Sequence, residues 1–107
     1  MKCGDIILVP FPFSELTNIK VRPAVVISTT LDKFHDIIVS AISSVIPKRL
    51  SQNEILVSPN ESNGLRAISV IKVDRIVTLK KENIIAHLGE LSDTEVKILK
   101  VKFRKLV

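Results

Sequence analysis

A chain of 107 residues, 46% of them hydrophobic and 4% aromatic, has room for one domain with one aliphatic core. This composition excludes an intrinsically disordered chain, and no apolar run approaches the roughly 20 residues needed to cross a bilayer. The net charge of +5 favours a polyanion or an acidic protein as partner. Because no membrane span is predicted, we expect a soluble cytoplasmic protein that does not associate with membranes. The single cysteine, Cys3, cannot form an internal disulfide, which agrees with a reducing compartment.

The first half of the chain is typical of short β-strands separated by polar turns. Apolar, largely β-branched runs predict strands because such side chains pack well on a pleated, half-buried surface. Pro10 and Pro12 remove backbone donors from the first run, which favours a strand edge or end. The predicted strands cover residues 5–13, 22–28, 36–46 and 54–58, with polar connections at 14–20, 29–35 and 47–53.

The second half begins with the densest turn signal, PNESNG at 59–64. Residues 65–79 alternate well enough to predict two consecutive strands, and 80–91 fits either a helical turn or a short strand. Ser92 and Glu95 have the spacing of a capping box, so a helix is predicted after Ser92. The fold predicted from these patterns is mainly β with a C-terminal helix packed on a small curved sheet or barrel. The apolar stripe predicted for the helix consists of Val96, Leu99, Phe103 and Leu106.

The residue types indicate neither a metal site nor a nucleotide site. Cys3, His35 and His87 are far apart in sequence, and no two of them have ligand spacing. The chain contains three glycines, too few for a glycine-rich phosphate loop. We therefore expect no metal ion or other cofactor, with His35 at the surface and His87 at the edge of the core.

One cation stands where an apolar strand begins, in the stretch VRPAVVIS. Pro23 biases Arg22 towards extended backbone, which helps to aim a long side chain. Hydroxyl groups interrupt another apolar run, at Ser40, Ser43 and Ser44. If that strand bends, Ser43 lies at a surface beside Arg22, and a guanidinium with a hydroxyl is a good pair for an anion. The alternative is an ordinary charged strand end and turn-forming serines.

Taken in order, these segments resemble the MazF/PemK family of type II toxins. GDIILVPFPFSELTNIKVRPAVVIS (4–28) resembles the family's opening: Gly-Asp, an apolar strand, a variable loop and Arg-Pro. VSAISSVI (39–46), GLRAISVIKVDRIVTLKKENI (64–84) and LGEL (88–91) continue the resemblance over nearly the whole chain. It implies a single toxin domain over residues 1–107, with the small SH3-like curved barrel of the MazF/CcdB type.

The resemblance also implies an activity and its residues. Members of that family are mostly metal-independent endoribonucleases that cut single-stranded RNA at short sequences, usually as homodimers inhibited by a disordered antitoxin segment. The family's catalytic arginine falls on Arg22 and its catalytic threonine on Ser43, where serine keeps the hydroxyl. Val45 stands where many members carry glutamine, so the cleavage sequence is not transferable from a relative. The candidate RNA-binding residues are Lys20, Lys48, Arg49 and Arg66.

The implied chemistry asks little of the protein, since RNA supplies its own nucleophile in the 2′-OH. We expect Arg22 to stabilise the scissile phosphate and Ser43 to donate to a phosphate oxygen. An acidic antitoxin segment suits the net positive charge. Two alternatives stay open: a non-catalytic toxin that poisons DNA gyrase, as other toxins of this fold do, and a plain SH3-like interaction module.

Overall fold

Antiparallel strands form one curled sheet in a computed structural model of the chain, which describes residues 1–12 and 19–107. The spatial order is β4-β5-β3-β2-β1-β6, and one helix, α1, follows the last strand. The predicted class, mainly β with a C-terminal helix, is confirmed. The elements are β1 Asp5–Pro12, β2 Ile19–Thr29, β3 Ile37–Ser43, β4 Glu54–Val57, β5 Ser69–Leu79, a 3₁₀ turn Lys81–Asn83, β6 Ala86–Glu90 and α1 Asp93–Arg104.

Several strand boundaries differ from the prediction. Residues 65–79 were predicted as two strands, but the structure has one strand, β5, which begins only at Ser69. The strand predicted to run to residue 46 ends at Ser43, because the Ser43 hydroxyl accepts the N–H of Val45 at 3.1 Å and turns the chain. Residues 14–18 of the predicted connection at 14–20 lie outside the described residues, whereas Ile19 and Lys20 belong to β2, which therefore begins earlier than predicted.

The single strand β5 contains a bulge where it pairs with β3. Ser40 and Ala41 are adjacent in β3 but pair with Ile76 and Lys72 of β5, so three residues of β5, numbers 73–75, have no partner in β3. Both polar backbone groups of Val73 are nevertheless satisfied. Its N–H donates to the carbonyl of Asn53 at 2.9 Å, and its carbonyl accepts the buried Ser40 hydroxyl at 3.0 Å. The bulge is therefore fixed by hydrogen bonds on both sides.

The curled sheet divides its apolar side chains into two clusters. Successive residues of a strand point to opposite faces, so Ile6 and Val25 enter one cluster while Ile7 and Val26 enter the other. This explains why β1 and β2 are continuous apolar runs. The helix-side cluster contains Ile6, Val25, Ile42, Ile55, Val57, Leu65, Ile71, Val73, Leu91 and Leu99. The opposite cluster contains Ile7, Val9, Phe11, Ala24, Val26, Ile37 and Val39.

Helix α1 begins at the predicted capping box. The Ser92 hydroxyl accepts the Glu95 N–H at 3.2 Å, and the Glu95 carboxylate accepts the Ser92 N–H at 3.0 Å. Leu99 is fully buried, and the rest of the predicted stripe packs beside it in the helix-side cluster. Among the described residues, no helix is long and apolar enough to span a membrane.

The β4–β5 connection brings the two edges of the sheet together. The Glu90 N–H at the end of β6 donates to the carbonyl of Ser62 at 2.9 Å. A Cβ on Gly89 would lie 2.2 Å from that same carbonyl oxygen, so a larger residue would prevent this contact. The buried Asn63 side chain organises the turn by accepting two backbone N–H groups and donating to the carbonyl of Ser58. The curled sheet is thereby joined into a half-barrel.

Candidate active site

A cavity of about 490 Å³ opens between β1, β2, β3 and β5. Three cationic side chains and one carboxylate line it, and both residues predicted to be catalytic are among them. The remaining wall is mostly apolar. The lining residues are Phe11, Arg22, Ala41, Ile42, Ser43, Ser44, Val45, Lys72, Asp74, Arg75, Ile76 and Val77.

Strand pairing brings Arg22 and Ser43 together. Ala24 of β2 pairs with Ala41 of β3 in antiparallel register. Continuing that register by two residues aligns Arg22 with Ser43 on the same face of the sheet. The small side chain of Ala41 lines the cavity beside them. The pair predicted from distant parts of the sequence thus converges on one cavity, where Arg22 is half-buried.

The Ser43 hydroxyl is oriented by the turn that ends β3. Its oxygen accepts the Val45 N–H, and its own hydrogen is left to donate into the cavity. Val45 lines the same cavity with a side chain that is 76% exposed. An apolar side chain therefore occupies the wall where many family members are expected to carry a glutamine.

Lys72 is a cavity cation that the sequence analysis missed. Its ammonium lies 3.1 Å from Oε2 of Glu54, a β4 residue outside the cavity lining. The Ser51 N–H donates to Oε1 of the same carboxylate at 2.8 Å. The Ser51 backbone, together with Lys72, lowers the pKa of Glu54 below its ordinary value, because both stabilise the ionised carboxylate.

Asp74 and Arg75 belong to the β5 bulge, and they too were not predicted as site residues. In a regular strand, adjacent residues point to opposite faces, whereas here both line one cavity. The sequence carried a signal, since two charged residues in succession interrupt the alternation of IKVDRIV. Charged neighbours inside an apolar strand pattern indicate a bulge beside a polar site.

The four residues predicted to bind RNA all lie outside the cavity lining. Lys20 pairs with Phe11 and precedes Arg22 by two residues, which places it on the same face at the exposed end of β2. Lys48 and Arg49 lie in the exposed β3–β4 connection, and Arg66 lies in the exposed β4–β5 connection. Of these four residues, Lys20 has the position best suited to extend the cavity.

The two histidines differ in outcome. His35 is exposed, as predicted. The prediction that His87 lies at the core edge is wrong: its side chain is 52% exposed, with Nε2 3.9 Å from Asp5. The pairing of β1 with β6 skips Leu88, and this bulge leaves His87 turned to solvent on an edge strand. Within residues 1–12 and 19–107, no three His, Cys, Asp or Glu side chains are grouped so that they could hold a metal ion.

Solved structures similar to this chain include two mycobacterial endoribonucleases and a MazF toxin. A mycobacterial endoribonuclease in complex with its cognate antitoxin matches with a TM-score of 0.72 at 15% identity, over 98% of this chain and 92% of that one. The toxin MazF-mt6 of Mycobacterium tuberculosis matches with a TM-score of 0.69 at 17% identity, over 94% and 93%. A further mycobacterial endoribonuclease gives 0.68 at 16% identity, over 98% and 88%. At these identities the likeness establishes the fold.

Sequence comparison establishes the family. No curated protein matches the chain in sequence. The model of the PemK-like, MazF-like toxins of type II toxin-antitoxin systems, however, matches residues 2–107. The curled half-barrel with its C-terminal helix agrees with that match. With nearly the whole chain covered, this protein belongs to the PemK-like, MazF-like toxin family of type II toxin-antitoxin systems.

Proposed function

We propose that this toxin is an endoribonuclease that cleaves single-stranded RNA at short sequences without a metal ion. The observation that carries the proposal is the convergence of Arg22 and Ser43 in one cavity lined by further cations. A phosphodiester is an anion that a guanidinium and a hydroxyl can bind together. Two of the similar structures are themselves endoribonucleases. Poisoning of DNA gyrase would give this pair of residues no task.

The reaction uses the substrate's own nucleophile. The 2′-oxygen loses its proton and attacks the adjacent phosphorus, and the bond from phosphorus to the 5′-oxygen breaks. The departing 5′-oxygen takes up a proton from water, so the products are a 2′,3′-cyclic phosphate and a 5′-hydroxyl. A guanidinium is a poor proton acceptor, so the role of Arg22 is to stabilise the negative charge that develops on the phosphate oxygens. Ser43 donates its hydroxyl hydrogen to one of those oxygens. Asp74 is the carboxylate of the cavity lining and is the candidate to accept the 2′-OH proton.

The test is cleavage of a long single-stranded transcript in the presence of EDTA. The parent protein should produce discrete fragments, and Arg22→Ala should cut about 10²–10³ times more slowly, as expected for loss of one transition-state donor. Arg104→Ala is the matched control, because it removes the same charge at the exposed end of α1, outside the cavity lining. Equal rates for the parent and a folded Arg22→Ala would exclude this site. Intact RNA together with arrest of DNA gyrase would favour the alternative, a non-catalytic toxin that poisons gyrase.

The proposed partners are an acidic, partly disordered antitoxin segment and a second copy of the chain, in the cytoplasm. A net charge of +5 favours capture of an acidic chain, and one similar structure is an endoribonuclease bound to its cognate antitoxin. Sedimentation at several concentrations should give the mass of a dimer. Association with the antitoxin should slow as salt is added, since screening weakens electrostatic steering.

A further inference from the structure

The ion pair between Glu54 and Lys72 connects an edge strand to the cavity. Glu54 does not line the cavity, whereas Lys72 does. We propose that Glu54 is a positioning residue, which holds Lys72 on the cavity wall as an additional contact for an RNA phosphate. The inference rests on the proposed ribonuclease function and names a determinant of substrate affinity within the same site.

The Glu54 carboxylate is held by the backbone and in turn holds the Lys72 ammonium. Glu54 and Lys72 are cross-strand partners in the β4–β5 register, and Lys72 also pairs with Ala41 of β3. One carboxylate oxygen accepts the Ser51 N–H at 2.8 Å, and the other meets the Lys72 ammonium at 3.1 Å. The Glu54 side chain is only 11% exposed and the Lys72 side chain 29%. Both oxygens are thus engaged in a partly buried setting, where an ion pair is screened less than at the surface.

The lysine keeps donors for a substrate. An ammonium group has three N–H donors, and the contact with Glu54 uses one of them. Lysine has a long flexible side chain, and restricting it to one conformation lowers its entropy. The phosphate contact would otherwise have to offset this cost in free energy. By restraining Lys72 in the absence of substrate, Glu54 lowers that cost. The strand register places Lys72 opposite Ala41 of β3, two residues before Ser43.

The sign of the effect separates positioning from simple charge. Replacing Glu54 by Gln removes a negative charge near a polyanion site, which by electrostatics alone would strengthen RNA binding. Loss of positioning has the opposite consequence, because Lys72 then samples conformations that do not face the phosphate. The neutral amide still accepts the Ser51 N–H, so the local backbone contact is retained. The proposal therefore predicts weaker binding from a variant with more positive charge.

The experiment uses the full chain and an RNA oligonucleotide that contains a mapped cleavage site. A 2′-deoxy substitution at the scissile nucleotide removes the nucleophile and gives Kd, while the unmodified oligonucleotide gives KM and kcat. Glu54→Gln should raise Kd and KM roughly three- to tenfold and leave kcat within about twofold, the pattern expected for lost ground-state binding. Glu90→Gln is the matched control: Glu90 pairs with Lys2 at 2.9 Å in an exposed pair away from the cavity, and its variant should not raise Kd.

Two further variants make the inference falsifiable whatever the stability of Glu54→Gln. Glu54→Asp keeps the charge but shortens the side chain, and it should also raise Kd. In Lys72→Met the dependence of log Kd on log salt should weaken by about 0.7, and adding Glu54→Gln to it should have no further effect. An unchanged or lower Kd in both folded Glu54 variants overturns the positioning role. Failure of the parent to cut RNA at all is a separate result, which overturns the proposed function instead.

Discussion

The two halves of β5 differ sharply although they belong to one strand. In the first half, Ser69–Val73, the side chains of Val70, Ile71 and Val73 are fully buried, and β4 and β3 flank the strand. The second half begins with three exposed residues, Asp74, Arg75 and Ile76, which line the cavity. Apart from Lys72, which lines the cavity, the first half contributes to the core, and the second half contributes to the site.

The bulge between the halves is what permits this change. Without it, strict alternation would send Asp74 and Arg75 to opposite faces of the sheet. The buried Ser40 hydroxyl and the carbonyl of Asn53 hold Val73 at the start of the bulge, so the change of face occurs at a fixed residue. Stability and chemistry can therefore be altered by substitutions at different positions of this strand.

The largest expected effect is on stability and belongs to the first half. Ile71→Ala should lower the free energy of unfolding by about 2–5 kcal/mol, because it leaves a cavity in the helix-side cluster. Ile76→Ala removes the same atoms from a side chain that is 42% exposed, and should cost only about 0.5 kcal/mol. Urea denaturation of the two variants measures the contrast. Equal losses would contradict the division of β5 into a core half and a site half.

The next effect concerns the boundary itself. Ser40→Ala should cost about 1–3 kcal/mol, since the buried carbonyl of Val73 loses its hydroxyl donor. Because the bulge also places Asp74 and Arg75, RNA cleavage should fall at temperatures well below the midpoint of unfolding. Ser28→Ala, at an exposed position of β2, is the control and should change neither property. Normal cleavage by a destabilised Ser40→Ala would show that the bulge does not position the site.

A smaller effect distinguishes two arginines. Arg75 lines the cavity, whereas Arg66 lies in an exposed connection outside it. Arg75→Ala should reduce the salt dependence of RNA binding by about 0.7 in the log–log slope, as expected for one lost contact to a single strand. Arg66→Ala should change the slope less, and neither variant should change stability by more than about 0.5 kcal/mol. The reverse order would move the RNA path towards the β4–β5 connection.

The smallest expected effect is the response of stability to acid. The pKa of Glu54 is lowered in the folded chain, so its contribution is present above its ordinary value near 4.5 and is lost as pH falls through the lower folded value. Glu54→Gln should therefore be less stable than the parent at neutral pH, and the difference should shrink in the acidic range. Denaturation midpoints across that range provide the measurement. A difference that grows with acid would contradict the assigned hydrogen bonds.

The sequence was sufficient to predict those elements that depend on residues close together in the chain. The capping box at Ser92 and Glu95 set the start of α1, and the apolar stripe through Leu99 identified its buried face. The turn at 59–64 was also predicted, because Asn and Gly carry the backbone preferences of turns. By contrast, β5 was divided wrongly in two, since its bulge rests on hydrogen bonds from Ser40 and Asn53, which lie far from Val73 in the chain.

The candidate site was predicted in part. Arg22 and Ser43 were found because a cation and a hydroxyl interrupt apolar runs and because both match a family pattern. Lys72 was missed because a single charged residue in a strand has no sequence signature that tells a solvated face from a cavity wall. Asp74 and Arg75 were missed because the interrupted alternation of IKVDRIV was not interpreted as a bulge. Glu54 was still further from reach, because it acts from outside the cavity through its partner.

What the sequence determined by itself is the class of the molecule: aliphatic strands, one amphipathic helix, a surplus of positive charge and a family resemblance. Only the tertiary structure decided which of its sixteen lysines and arginines face one cavity. The physical reason is that side-chain direction within an element follows a local period, whereas meeting across elements depends on register and bulges. Those are set by hydrogen bonds between residues far apart in the chain.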